Sequence, residues 1–409
     1  MRGPDFGADV ARHRLHARLT NAVSGLPAPP PSPIVVVDLD GFDANAADLT
    51  SRASGKPIRL ATKSLRVPAL IARALALPGF TGVLSYALRE ALWLHQEGLS
   101  DDIVLGYPTV DAGALTSLVE NEDAARAITL MVDSPEHLDL VDEVRSGAAT
   151  TVRVAIDIDA GLRLGRSHVG PKRSPLYDVP QVVDLARQVL DRPGFDLVGV
   201  MTYEGQVAGV ADDDPHQRAR SVVVRRLKSA SISQLGQRRH DIAQALAAVV
   251  DLEFWNAGGS GSIESSTADP VVTEVTAGSG LVVSHLFDHY RSFLPRPAEF
   301  FGLPVVRRPG PDVATVAGGG LIASGPTGVD RSPVAWTPPG LHLTSLEGAG
   351  EVQTPLVGPA ASSLRIGDLV WFRHAKTGEL AEHTNLVHLL AGAEVVDSVP
   401  TYRGTGNAW

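Results

Sequence analysis

The residues best able to do chemistry fall where apolar runs end. The run IRLAT (58–62) leads straight into Lys63 and Ser64. A lysine at the end of a buried strand is costly unless its amine opens into a cavity. There it can form a Schiff base with a carbonyl, helped by a pKa lowered through desolvation. The same lysine could equally be an exposed residue of the following loop. VRVAID (152–157) runs into IDIDAGLRLGRSHVG (156–170), which carries Arg163, Arg166 and His168. These could neutralise a phenolate or a carboxylate, or simply cover the surface. LVGVMTY (197–203) brings Tyr203, Glu204 and Gln206 to a run's end. LEFWNAG (252–258) supplies Asn256 and Gly258 and continues through Gly259, Ser260 and Gly261, while VVTEVTAG (271–278) ends in Thr276 and Gly278 before Ser279 and Gly280. Glycines let backbone N–H groups converge on an anion, and serine hydroxyls add donors. One such loop is usually just a turn; two in succession are a better indication. Late in the chain His374, Glu379, Glu382 and His383 lie near one another in sequence. They could ligate Mn²⁺, Mg²⁺ or Zn²⁺, or be ordinary surface and acid–base residues.

Positioning these groups requires a frame. Eight short apolar runs recur between residues 58 and 278: the five just named and GVLSY (82–86), DIVLGY (102–107) and ITLMVD (128–133). Helical stretches such as VPALIARALAL (67–77) and REALWLHQEG (89–98) separate them. Runs apolar on both faces suit parallel strands, and eight strand–helix units predict an α/β fold with a closed (β/α)8 TIM barrel. An open doubly wound sheet shows the same alternation. In a barrel the functional face lies at the C-terminal strand ends, with phosphate often held after strands seven and eight. The candidate residues would then share one face. Residues 1–32 read as an N-terminal helix and a Pro-rich link, 33–285 as the barrel, and 286–409 as a C-terminal all-β domain of short runs and Gly/Pro turns. The run at 34–38 precedes the counted eight and fits either the barrel or the β domain.

Composition narrows the function classes. The chain of 409 residues has 36 basic and 46 acidic side chains, a formal charge of −10, which argues against nucleic acid as the main partner. It has no cysteine, which excludes a thiol nucleophile, a cysteine zinc site, an iron–sulfur cluster and a disulfide scaffold. No apolar stretch approaches the roughly 20 residues of a membrane span. The N-terminal MRGPDFGADVARHRLHARLT lacks an apolar core for secretion, so a cytoplasmic enzyme is the expectation.

A lysine at one strand end and an anion cradle at two others describe a pyridoxal 5′-phosphate (PLP) site. With a C-terminal β domain, the arrangement resembles the alanine-racemase-type fold, fold type III of PLP enzymes. PIVVVDLDGFDANAADL (33–49), IRLATKSLRVPALIARAL (58–75), GVLSYALREALWLHQEGLSDDIVLGYPTVD (82–111), MTYEGQVAGV (201–210), NAGGSGS (256–262), TEVTAGSGL (273–281) and VWFRHAKTGEL (370–380) carry a closer resemblance. It is to the D-threonine aldolase and D-serine dehydratase branch, and within it to the bacterial proteins called amino acid deaminase/aldolase.

That resemblance implies Lys63 as the Schiff-base lysine. Tyr203 and Gln206 would lie beside the cofactor, and Gly258, Gly259, Ser260 and Gly261 on its phosphate. It puts Thr276 where racemases of this fold carry an arginine facing the pyridine nitrogen. A neutral hydroxyl there makes a weaker electron sink. Metal-dependent members carry a His-x-Cys or His-x-Asp pair before an asparagine; here Glu379 and Ala381 occupy those offsets from Asn385. His374, Glu379 and His383 remain as an alternative metal set, and Arg166 competes with Arg163 and His168 for the family's arginine role.

The implied chemistry is aldol cleavage of a D-threonine-like β-hydroxy-α-amino acid to glycine and an aldehyde, with His374 or a metal assisting the hydroxyl. Elimination to a keto acid and ammonia is the alternative, racemisation a third outcome. A PLP-homeostasis binding protein is the non-enzyme alternative, though such proteins are single barrels without the β domain. A further reading is a barrel using Lys63 on a sugar phosphate without a cofactor. A homodimer is expected.

Overall fold

The computed structural model describes residues 6–145, 150–294 and 296–409; residues 1–5 of the expected N-terminal segment lie outside these. Strand β1 (Ile34–Asp38) is followed by β2 (Ile58–Ala61), β3 (Phe80–Ser85), β4 (Ile103–Leu105), β5 (Ile128–Val132), β6 (Val152–Asp157), β7 (Leu162–Leu164), β8 (Ser167–Val169), β9 (Phe195–Thr202), β10 (Phe254–Ala257) and β11 (Glu274–Ala277). Strands β2–β6 and β9–β11 close a parallel barrel in the order β10-β11-β2-β3-β4-β5-β6-β9. These are the eight runs counted in the sequence. Their continuous apolar character follows from burial on both faces: all five residues of β5 are buried. Outer helices are amphipathic. Helix Val179–Leu190 buries Val182, Leu185, Ala186 and Val189, and starts with a capping box between Asp178 and Gln181.

β1 is not a barrel strand. It pairs antiparallel with β12 (Glu299–Gly310) and parallel with β18 (Leu386–Ala391), reached through β13 (Val313–Ala317), β14 (Val334–Thr337), β15 (His342–Leu343), β16 (Gln353–Val357) and β17 (Leu369–Arg373). With β19 (Glu394–Pro400), these strands form one nine-stranded sheet in which residues from both chain ends meet. Helix Phe6–Ser24 packs on this sheet through Leu19, Ala22 and Val23, against Trp371 and Leu390. Among the described residues no helix is long and apolar enough to cross a membrane.

Two buried polar arrangements stand out. Inside the barrel, Arg59 of β2 is 3% exposed and makes a two-point ion pair with Glu274 of β11, at 2.7 and 2.8 Å, and a further pair with Asp102. Its guanidinium lies 5.4 Å from the centre of the Phe254 ring. At the start of β12, Glu299 faces His374, which follows β17, with 3.3 Å between carboxylate and ring nitrogen. Burial pushes the Glu299 carboxyl up to about 8. It holds His374 down to about 3, with Arg373 adding to the effect. The close approach resembles an ion pair, but desolvation disfavours the charged form of both groups, and neither ring nitrogen nor the facing carboxylate oxygen finds a hydrogen-bond partner.

Removing the buried guanidinium in Arg59→Met leaves Glu274 uncompensated and is expected to cost about 3–5 kcal/mol in denaturant unfolding. Glu299→Gln has a pH signature. The folded carboxyl binds its proton up to about 8 against an ordinary 4.5, so its contribution to stability is present below 4.5 and is lost as pH rises towards 8. His374, held unprotonated, instead costs stability as pH falls below 6.5. Glu299→Gln should therefore raise the melting temperature more at about pH 8.5 than at about pH 5, and a gain independent of pH would refute the assignment.

Candidate active site

The C-terminal strand ends form a hollow lined by Lys63, Tyr107, Arg173, Tyr203, Asn256, the 258–260 loop and the 276–279 loop. A second hollow shares Lys63, Tyr203 and Ser260 with it and adds Phe287, Tyr290, Arg331 and Lys376. Together these walls present four cationic side chains and, among the described residues, no carboxylate.

Lys63 lies in the 3₁₀ turn Thr62–Ser64 at the end of β2. The turn is held from several sides. Thr62 Oγ1 donates to the Leu84 carbonyl, and Arg66 Nε donates back to the Lys63 carbonyl. Arg66 itself has a φ of +54° and pairs with Glu382. Gly378 packs directly on the Lys63 carbonyl. A Cβ there would come within 1.9 Å of that oxygen, and φ is +83°, so only glycine fits. Lys63 Nζ donates to Tyr107 Oη at 3.0 Å. Burial alone would raise the Tyr107 phenol, but the neighbouring Lys63 charge prevails, with Arg173 and Lys376 adding, and brings it below the ordinary 10.0.

Beside the Lys63 turn, the two glycine loops meet. The Ser260 hydroxyl is buried, accepts the Gly280 N–H at 2.9 Å, and lies 3.2 Å from the Ser279 hydroxyl. Asn256 and Thr276 form the floor, and below it the chain continues to Glu274 and Arg59. Asn256 Nδ2 donates to both the Glu274 carboxylate and Thr276 Oγ1 at 2.8 Å. Tyr203 stacks its ring on the wall beside Arg173, and burial pushes its phenol up to about 12.

The structure brings Lys63, Tyr203, Asn256, Gly258, Gly259, Ser260, Thr276 and Gly278 to one hollow. Two nearby candidates are not on the wall. Gln206 donates instead to the Ala160 carbonyl at 2.7 Å, and Gly261 packs behind the loop against the Ala208 carbonyl. Arg166 is a correction: it is exposed at the turn between β7 and β8. That hairpin leans on helix Arg218–Leu246, with Arg163 bonded through its backbone to Gln234 and stacked 3.5 Å from the Tyr177 ring. His168 is committed to Asp159 at 2.8 Å. The cationic group that the loop does deliver is Arg173.

His374 is a second correction, since it is buried against Glu299 and lines neither hollow. Glu379 is taken by Ser324 and Lys376, and His383 lines a separate hollow in the β domain. His374, Glu379 and His383 therefore do not converge. Among the described residues no group of three or more His, Cys, Asp or Glu side chains could hold a metal ion. Tyr107 and Arg173 were not singled out from the sequence. Tyr107 ends a barrel run just as Lys63 does, so the strand-end rule would have found it; Arg173 carries no such signal.

The wall chemistry fits a phosphorylated aldehyde: an amine, a neutral hydroxyl floor, and an uncharged serine cradle in a cationic surround.

Over 271 residues the chain is 27% identical to a D-threonine aldolase from Arthrobacter sp, an alignment covering 63% of this chain and 65% of that protein. The chain thus spans about 65% of the length of this curated relative. The fold is similar to the crystal structure of D-threonine aldolase from Filomicrobium marinum, with TM-score 0.74 and 22% identity over 91% of this chain and 95% of that one. It is also similar to D-threo-3-hydroxyaspartate dehydratase from Delftia sp. HT23, with TM-score 0.70 and 20% identity over 93% and 98%. Residues 37–284 match the family described as alanine racemase, N-terminal domain, and the chain belongs to that family.

Proposed function

We propose that this chain is a PLP-dependent lyase acting on D-amino acids, cleaving D-threonine-like β-hydroxy-α-amino acids to glycine and an aldehyde. The observation that carries the reading is that Lys63 and the Ser260–Ser279 cradle line the same carboxylate-free hollow. The D preference and the cleavage rest on likeness to D-threonine aldolases. When bound, PLP withdraws electrons from the bonds at the substrate's Cα.

The residues of the chain supply the rest. Lys63 is the amine that holds the cofactor's aldehyde, and Ser260 and Ser279 hold its phosphate. Thr276 offers the ring nitrogen a neutral hydroxyl. Arg331 and Lys376, on the hollow beyond Lys63, receive the substrate carboxylate. Tyr107, whose phenol passes its own proton to Lys63 across their 3.0 Å contact, takes the β-hydroxyl proton as the Cα–Cβ bond breaks. Lys63 returns a proton to Cα of the departing glycine. Tyr107 thus replaces His374 in the hydroxyl role, because His374 is shut away from the hollow. No step needs a metal ligand set, and a homodimer remains part of the proposal.

Borohydride treatment followed by mass analysis should fix the cofactor on Lys63, and Lys63→Ala should abolish both that adduct and activity. D-threonine should yield glycine and acetaldehyde, with and without EDTA. A keto acid and ammonia would make the enzyme a dehydratase instead, and a protein that takes up no PLP would overturn the reading. Tyr107→Phe should lower kcat by about 10²–10⁴-fold while the cofactor remains bound.

A further inference from the structure

Glu204 lines neither hollow at the active face, yet it is 2% exposed and carries four donors. One oxygen accepts from the Arg239 guanidinium at 3.0 Å and from the Gly258 N–H at 3.2 Å. The other accepts from the Ser262 hydroxyl at 2.8 Å and from the Ser266 hydroxyl. A buried carboxylate that only balanced Arg239 would not need the loop. Three of the four donors belong to residues 258–266, the segment carrying the cradle. Ser262 passes the constraint on, since its oxygen also accepts the Gly259 N–H at 3.1 Å. Gly258 takes a φ of +86° at the point where the strand gives way to the loop. Two donors and the bend are thus tied to a single side chain behind the loop, leaving Ser260 as the residue turned towards Gly280 and Ser279.

Charge supports the same assignment. A lone carboxylate behind an anion site would repel its ligand. Arg239 pairs with Glu204 and also bonds the Thr202 carbonyl and Asp269. Glu204 therefore acts as a neutralised, four-donor acceptor that fixes shape without projecting charge.

We propose that Glu204 is the positioning residue of the phosphate cradle, setting the 258–262 loop so that the site prefers the phosphorylated form of its cofactor. The inference rests on the PLP reading of the site. In Glu204→Gln one oxygen becomes an amide nitrogen that cannot accept, so either the Arg239 and Gly258 donors or the Ser262 and Ser266 donors lose their acceptor.

The test strips the enzyme of cofactor and titrates it separately with PLP and with pyridoxal, which lacks the phosphate. Wild type should bind PLP far more tightly than pyridoxal. Glu204→Gln should shrink that preference by about tenfold or more, with pyridoxal affinity held within about twofold. An unchanged preference, or an equal loss for both ligands, overturns the proposal. If Glu204→Gln does not fold, Ser266→Ala removes one donor; a fall in preference of about threefold supports the proposal and no fall overturns it. If wild type fixes no PLP on Lys63, the PLP reading itself fails and takes this inference with it. That outcome is distinct from a wild type that binds PLP and a variant that keeps its preference.

Discussion

The structure depends on holding one short turn rigid at the rim of a closed barrel. Residues 62–66 carry the amine, and few of their restraints are local. The Leu84 carbonyl holds Thr62 from the next strand. Gly378 and Glu382, from the β domain, press on Lys63 and pair with Arg66. The chain's far end contributes too: the Tyr402 N–H donates to the Arg66 carbonyl at 2.9 Å. Its hydroxyl donates to Glu90 at 2.8 Å. Glu90 is fully buried, and burial pushes its carboxyl up to about 7. A side chain meant for chemistry needs its backbone over-determined, because displacement of an ångström costs reactivity. Two domains bearing on five residues provide that.

The charge pattern follows from the same geometry. Carboxylates are plentiful in the chain, yet none lines the two hollows that share Lys63. Asp157 is buried at the end of β6, where desolvation, with nearby Asp133 adding, pushes it up to about 7. Glu274 is balanced by Arg59 below the floor, and Glu204 by Arg239 behind the loop. Of the cations on the hollows, Lys376 pairs with Glu379 and Arg173 borders Asp157 and Asp159 in an adjoining hollow, while Lys63 meets a phenol rather than a carboxylate. A site of this kind favours ligands that bring their own negative charge, and an aldehyde phosphate with an amino-acid carboxylate meets that condition.

Much of this was legible in the sequence, for a reason specific to barrels. Parallel strands buried on both faces read as unbroken apolar runs, so all eight could be counted, and counting them put Lys63, Tyr203, Asn256 and Thr276 on one rim. The placement of β1 could not be read, because VVV pairs as well with a barrel neighbour as with β12 and β18. Arg166 misled because proximity along a loop is not proximity in space. The β7–β8 hairpin carries it outward, and Arg173 arrives only after the chain has turned back. The same lesson applies to His374, Glu379 and His383: closeness in sequence does not force convergence, and each has a different neighbour.

The β domain is more than an appendage in this reading. A barrel closed on itself could present a lysine without help, but its strand-end turns would be free to flex towards solvent. Here β1 leaves the barrel's sequence region to join the far sheet, and helix Leu39–Ala53 carries the chain back to β2. Helix Leu39–Ala53 also packs against Ser279–Val282 and Ile263–Thr267, the short helices that follow the two cradle loops. Through Arg52 it reaches the Ser260 carbonyl at 2.7 Å. One helix therefore links the sheet, the strand that bears Lys63 and both walls of the cradle. Within the barrel this helix ties the Lys63-bearing strand to both cradle loops, and through β1 it joins them to the C-terminal sheet.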